Sequence, residues 1–392
     1  MFKRSLIIEV VKKTKSHHDI YHYIKEHKEM QVPFVDKLKD KRYIFIIETR
    51  LKSNTKYAII TTAKPSSLQA KKKKGDFTMS FLYLLEEIRT PILDLFFSVI
   101  TLCGEETVFM AVGMIIFWCL DKHQGYYLLC VGFLGTVLNQ FLKMLFRIPR
   151  PWVKDPSFTI VESAKEAATG YSFPSGHTQT SVGLFGGIAR WNHKTTLRIV
   201  MTVLCILVPL SRMYLGVHTP ADVGVSLGLA LLLIFVAYPI FQKAMTSPKL
   251  MYGILVSLTA AMLAYLCFIC RYRFPDVVYL EENLHNLQSA QKNGFTLMGC
   301  ILGILVVYTV DLKWTKFETK AVWWAQIIKS VVGIGLVIAA KELLRFPLNA
   351  ILDEDSWARL IRYFLIVIVG GVLWPMTFRY FSKLGKQQPN DK

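Results

Sequence analysis

Charge is scarce along most of this chain, and what there is falls heavily on one side. Of 392 residues, 19% are Asp, Glu, Lys or Arg and 53% are hydrophobic. A soluble domain carries roughly a quarter charged residues and fewer unbroken apolar runs, so a soluble fold of this length is excluded. Acids are outnumbered, 28 against 47 Lys and Arg. Glycine is missing from the head of the chain, where the first is Gly75. The 7 cysteines (Cys103, Cys119, Cys130, Cys205, Cys267, Cys270 and Cys300) all sit in or beside apolar runs. Cys267 and Cys270 form a C-x-x-C with no second half-site, so neither a zinc site nor a disulfide framework is implied. No secretory signal is expected, because the charged start is not followed by an apolar core and a small-residue cleavage site.

What the chain does have is apolar runs, among them Leu227–Phe241, Met251–Cys270 and Phe364–Leu373. A helix needs roughly 20 mostly apolar residues to cross a bilayer. The expected fold class is therefore all-α, a polytopic helical membrane protein. Spans are expected near 107–120, 125–146, 176–190, 197–212, 222–241, 250–270, 294–310, 322–340 and 360–378, with a shorter apolar helix from Pro91 to Cys103 and an interfacial amphipathic helix over Met79–Arg89. The formal net charge of +19 does not point to nucleic acid, since no soluble module presents a basic face.

Residues 1–78 stand apart, holding 19 Lys and Arg against 8 Asp and Glu. Tyr43–Ile47 and Tyr57–Ile60 read as short strands. One reading of the segment is a small basic domain attracted to anionic lipid. The other is a non-native upstream extension: Lys74-Gly75-Asp76 can be encoded as AAA-GGA-GAT, a ribosome-binding sequence just ahead of Met79. The expected organisation is then 1–78 as a basic segment, 79–243 as a catalytic membrane core, and 244–392 as additional transmembrane helices with a basic tail.

If the spans alternate, one set of loops carries Arg190, Lys194, Arg198, Lys243, Lys249, Lys313, Lys316, Lys320, Arg379, Lys383 and Lys386. The other mixes bases with acids such as Asp155, Glu162, Glu281, Asp353 and Asp355. The base-rich set is expected on the cytoplasmic side.

Three short motifs fall on the opposite set. Lys143 and Arg147-Ile-Pro-Arg150-Pro151 close one span, Pro174-Ser175-Gly176-His177 opens the next, and Ser211-Arg212-x5-His218-Thr219-Pro220-Ala221-Asp222 bridges two more. Cations and histidines at a membrane boundary are costly, so their default reading is functional. A phosphoryl group in transfer carries charge on its equatorial oxygens, and positioning plus electrostatics supply most of its catalysis. Lys143, Arg150 and Arg212 supply the cations. Ser175 and Gly176 offer a hydroxyl and backbone N–H groups at a helix start. An imidazole nucleophile must be neutral at its attacking nitrogen and oriented at the other, which fits His218 with Asp222. His177 is the candidate acid and base for the leaving alkoxide and the attacking water. No metal or cofactor is required. Blander readings exist for each residue. Thr219-Pro220-Ala221-Asp222 is also a capping box, Lys143 and Arg147 alone read as interface anchors, and Glu105 and Glu106 read as solvated loop residues. The joint spacing over three separated segments favours the site.

Together these motifs resemble the type 2 phosphatidic acid phosphatase superfamily, whose signature is K-x6-R-P, P-S-G-H and S-R-x5-H-x3-D. Every position is present: Lys143, Arg150 and Pro151; Pro174 to His177; Ser211, Arg212, His218 and Asp222. The resemblance covers about Met79–Phe241. It implies a six-helix membrane core, here followed by about four extra helices. It also implies metal-independent dephosphorylation of a lipid phosphate or polyprenyl pyrophosphate through a phosphohistidine on His218, at a site facing away from the cytoplasm in the cell membrane. It does not choose the lipid or the oligomeric state. Two rival readings stand beside it: a vanadate-dependent haloperoxidase-like oxyanion site, and a lipid-binding or transport protein on the same scaffold. Lys341 to Pro347 echoes Lys143 to Pro149, with a chance likeness of helix ends preferred to a second phosphate contact.

Overall fold

The computed structural model describes residues 45–50, 56–61, 77–165, 168–273 and 280–384, with side chains left aside at both strands, at Phe77 and at 280–282. The chain divides into two units, Met1–Gly75 and Asp76–Lys392. In the first, β1 (Phe45–Arg50) and β2 (Lys56–Thr61) pair antiparallel, Phe45 opposite Thr61 and Arg50 opposite Lys56. The strand ends lie within three residues of the expected ones, and the fold class applies to the second unit. The rival readings of 1–78 turn mostly on residues outside those described.

The regular structure of the second unit is all helical among its described residues. It opens with α1 (Phe77–Glu87), α2 (Pro91–Leu102), α3 (Glu106–Ile115) and α4 (Lys122–Phe146). A pair of short helices, α5 (Gly176–Ser181) and α6 (Gly187–Trp191), is joined through a π turn over Val182–Gly186. The long helices α7 (Thr195–Tyr214), α8 (Pro220–Ala244), α9 (Pro248–Arg271), α10 (Leu280–Val310) and α11 (Trp323–Leu343) follow, then the short α12 (Arg345–Ile351) and α13 (Trp357–Ile368). Among the described residues 6 helices are long and apolar enough to cross a membrane. A seventh span arises if α2 and α3, bent by 49°, are taken together. The protein is a multi-span membrane protein.

Local chemistry sets the helix starts. Thr90, Asp121, Ser175, Thr219 and Ser247 each cap a helix by accepting from a backbone N–H, and proline follows at the first position of α2, α8 and α9, where its missing N–H costs nothing. Outward-facing Ile92, Leu95, Ile206, Leu232, Phe235, Val331 and Ile338 are exposed, a lipid-facing surface on a polytopic bundle. Buried residues form one apolar core running from Phe117, Trp118 and Tyr127 through Leu255 and Met262 to Ile301. The helices that carry the three motifs and the C-terminal helices therefore share a core. Gly299 and Gly303 on α10 let it lie against α13: a Cβ on Gly299 would stand 2.2 Å from the Leu360 carbonyl oxygen. Small residues four apart are the usual device for close helix contact in lipid. Trp118 Nε1 donates to the Gly370 carbonyl at 2.8 Å, tying the end of the α3 segment to the C-terminal helices.

Candidate active site

The first motif sits where α4 runs out. Arg147 ends the helix in the left-handed conformation, φ 49°, its N–H bonded to the Lys143 carbonyl at 2.9 Å. Pro151 starts a one-turn helix. This delivers Lys143 and Arg150 into the protein, where both are buried. Lys143 Nζ donates to the Tyr171 carbonyl at 2.5 Å. Arg150 Nε and Nη2 donate to the Gly170 and Thr169 carbonyls at 3.1 and 2.7 Å. The two cations thus grip the loop leading into the second motif.

The second motif is a helix start. Ser175 caps α5, its Oγ accepting from Thr178 N at 3.4 Å and from Thr178 Oγ1 at 3.0 Å. His177 stands one residue into α5, with Nε2 buried and without a protein partner. Gly104, at the α2–α3 bend, makes room for it: a Cβ there would lie 3.0 Å from His177 Cβ and 2.8 Å from Val208 Cγ1. Lys143, Arg150 and Arg212 all lie near enough to act on His177 electrostatically.

The third motif closes the site. Arg212, in the last turn of α7, is fully buried. Its Nη1 donates to Thr101 Oγ1 at 2.7 Å, while Nε and Nη2 have no protein acceptor. A tight turn then brings His218 N to the Arg212 carbonyl, 3.3 Å away. His218 Nε2 accepts from Arg150 Nη1 at 2.9 Å, and Nδ1 lies 3.5 Å from Asp222 Oδ2. These neighbours assign the proton to Nδ1 and leave the Nε2 lone pair facing the cations. Burial, then the charge of Arg150, hold the His218 ring well below the ordinary imidazole range, Asp222 pulling the other way. Buried among cations, the ring is neutral at physiological pH.

Asp222 performs both jobs that the sequence set against each other. Its Oδ2 accepts from Thr219 N at 2.8 Å, completing the capping box, and from Ser172 Oγ at 2.5 Å. The same oxygen faces His218. Ser175 N donates to the Asp222 carbonyl at 3.2 Å, so the second and third motifs are bonded to each other.

The structure therefore gathers Lys143, Arg150, Ser175, Gly176, His177, Arg212, His218 and Asp222 at one end of the bundle. Lys341 and Arg345 are exposed instead and face Glu342 and Glu354, at 4.0 and 3.7 Å. Two residues escaped the sequence reading: Thr101, which orients Arg212, and Ser172, which braces Asp222. Each is a lone hydroxyl with no spacing pattern to announce it.

Buried cations converging on a neutral histidine define an oxyanion-handling site in a polytopic helical membrane protein. The chain belongs to the PAP2 superfamily, whose profile matches residues 124–246, while residues 295–387 match the PAP2 superfamily phosphatase, transmembrane extension. It is 32% identical over 159 residues to phosphatidylglycerophosphatase B of Bacillus subtilis (strain 168), covering 37% of this chain and 74% of that protein. It is 28% identical over 142 residues to sphingosine-1-phosphate phosphatase 2 of Homo sapiens, covering 35% of each. Undecaprenyl-diphosphatase BcrC of Bacillus subtilis is 30% identical over 107 residues, covering 27% of this chain and 52% of that protein. The chain is accordingly a hydrolase of the phosphate monoester or pyrophosphate class.

Proposed function

We propose that this protein removes phosphate from a lipid phosphate or polyprenyl pyrophosphate through a phosphohistidine on His218, with residues 79–243 as the catalytic unit and 244–392 as a membrane extension. The observation that carries the reading is the placement of the His218 ring between Asp222 and Arg150. Asp222 takes the proton side of the ring, and Nε2 is turned toward Arg150 at 2.9 Å, where a phosphate held by the cations would sit. Relatives acting on phosphatidylglycerophosphate, sphingosine 1-phosphate and undecaprenyl diphosphate support a lipid-linked substrate.

In the first step His177 takes the proton that the ester brings as a monoanion, the Nε2 lone pair attacks phosphorus in line, the P–O bond to the alcohol breaks, and His177 gives that proton to the departing oxygen. Arg212, with two buried donors unspent, binds equatorial oxygens bidentately, alongside Lys143 and Arg150. The Ser175 hydroxyl hydrogen and the N–H groups at the start of α5 complete the cage. In the second step His177 takes a proton from water, the hydroxide attacks phosphorus, and the P–N bond breaks to release phosphate and restore neutral His218. Asp222 stays ionised and offsets the imidazolium character of the phosphorylated ring. The excess of Lys and Arg on the loops opposite these motifs supports a site on the extracytoplasmic face of the cell membrane.

The test is a trapped intermediate. Purified protein mixed with radiolabelled lipid phosphate and quenched in alkali is expected to carry an alkali-stable, acid-labile label. His218→Ala should carry none and release no phosphate. Turnover retained in that variant removes the mechanism.

A further inference from the structure

The C-terminal extension does more than pack. Helix α10 begins at Leu280, and its first turns stand against the loop that Lys143 and Arg150 hold in place. Tyr171, whose carbonyl accepts from Lys143 Nζ, donates from its hydroxyl to Asn283 Oδ1 of α10 at 2.7 Å. Next to that bond lies a cavity of about 30 Å³ lined by Gln140, Lys143, Tyr171, Asn286, Ser289 and Asn293, among others. A space of that size admits one or two water-sized groups. It opens between a phosphate-cage cation and a run of amides from a helix outside the three motifs.

Asn286 is the notable member of that lining. It is 6% exposed, yet its Nδ2 has no protein acceptor. A buried amide N–H without a partner is destabilising, and this one borders a cavity shared with Lys143. The other polar lining groups are neutral: Gln140, Ser289 and Asn293 carry amides or a hydroxyl, and Lys143 is the sole charged residue among the lining. A second phosphate would bring charge that neutral amides do not balance. An alcohol hydroxyl fits better, since it both donates and accepts, as an asparagine amide does.

We propose, resting on the phosphatase reading above, that Asn286 is a specificity-determining residue of this site. Its Nδ2 donates to a hydroxyl on the leaving alcohol beside the phosphate ester. The extension thereby selects polyol-type phosphate esters over esters whose neighbouring carbon bears no free hydroxyl. A site built to bond a substrate hydroxyl discriminates strongly against analogues without it, because its own donor is then left unpaired.

The experiment compares full-length wild type, Asn286→Leu and Asn286→Asp in detergent on two probes: phosphatidylglycerol phosphate, with a free hydroxyl next to the ester, and phosphatidic acid, with that position acylated. Both variants keep the branched shape of the side chain and remove the donor, Asp at nearly the same volume. The expected result is a loss of about tenfold or more in kcat/KM for the first probe, mainly through KM, with the second probe within about twofold of wild type. Activity on phosphatidic acid also reports that each variant is folded. Equal losses on both probes, or a loss on neither, overturn the inference and leave the phosphatase reading intact. A wild type that releases phosphate from neither probe nor from undecaprenyl pyrophosphate overturns that reading, and the inference with it.

Discussion

Replacing Asp222 by Asn separates its two roles. The carboxylate caps α8 through Thr219 N, accepts from Ser172 Oγ and faces His218 Nδ1 at 3.5 Å. Asparagine keeps one acceptor oxygen, so the cap survives in part, and its loss is worth about 1 kcal/mol of stability. The effect on chemistry is of another size. The oxygen that Thr219 N holds is also the one facing His218, so the neutral amide that replaces it no longer supplies the charge that fixes the proton on Nδ1 and offsets the imidazolium character of the phosphorylated ring. In a serine protease triad the corresponding change lowers turnover about 10⁴-fold, equivalent to roughly 5 kcal/mol of barrier. The control is Thr219→Ala, which removes the cap's hydroxyl and leaves the carboxylate facing the ring. Phosphate release at saturating substrate and the unfolding midpoint in detergent are measured for both variants. The expected pattern is a similar, modest fall in midpoint for the two, with a loss of about 10³–10⁴ in kcat for Asp222→Asn alone. Should Asp222→Asn keep kcat within about tenfold of wild type, Asp222 would be a helix cap and the tautomer argument would fail.

Two further predictions follow from the same geometry. Because His218 titrates below its unfolded value of about 6.5, the folded protein holds the ring neutral where a free imidazole would already be protonated. The acid limb of kcat/KM should therefore lie below pH 6.5, and the contribution of His218 to stability should be full above that pH and fall as pH drops beneath it; a His218-dependent limb at pH 7 or higher contradicts this. Gly104→Ala places a methyl 2.8 Å from Val208 Cγ1 and 3.0 Å from His177 Cβ, an overpacking expected to cost about 1–3 kcal/mol by thermal unfolding. If His177 protonates the leaving oxygen, that variant should lose more rate on an alkyl phosphate than on p-nitrophenyl phosphate, whose leaving group needs no proton.

The spans and the motif residues were legible because each follows a simple physical rule. Apolar length marks a membrane helix, and the ends of α4, α7, α8 and α9 lie within three residues of the expected ones. Fixed spacing marks Lys143, Arg150, Arg212 and His218, since cations at a membrane edge demand a reason. Helix α10 shows where that reasoning stops. Its span was expected from 294, yet the helix begins at Leu280. The added turns carry Asn283, Asn286, Ser289 and Asn293, too polar for hydropathy to claim. Asn286, Ser289 and Asn293 line the polar cavity, and Asn283 accepts from the Tyr171 hydroxyl. Thr101 was hidden for a related reason: its value depends on the 49° bend between α2 and α3, a tertiary feature that brings it to Arg212. The Asp222 question stayed open in the sequence because capping and ring orientation demand the same residue at the same position, and only coordinates show one oxygen serving both.

Arg212 carries a consequence for how this protein ages and evolves. A guanidinium sealed from solvent that gives just Nη1 to a threonine leaves the resting fold sturdier in principle than in fact. An aliphatic side chain there would relieve the strain of unmet donors and toughen the bundle while ending its capacity to grip an anion. On the proposed mechanism, in which Arg212 grips the phosphate, this position exchanges durability for turnover.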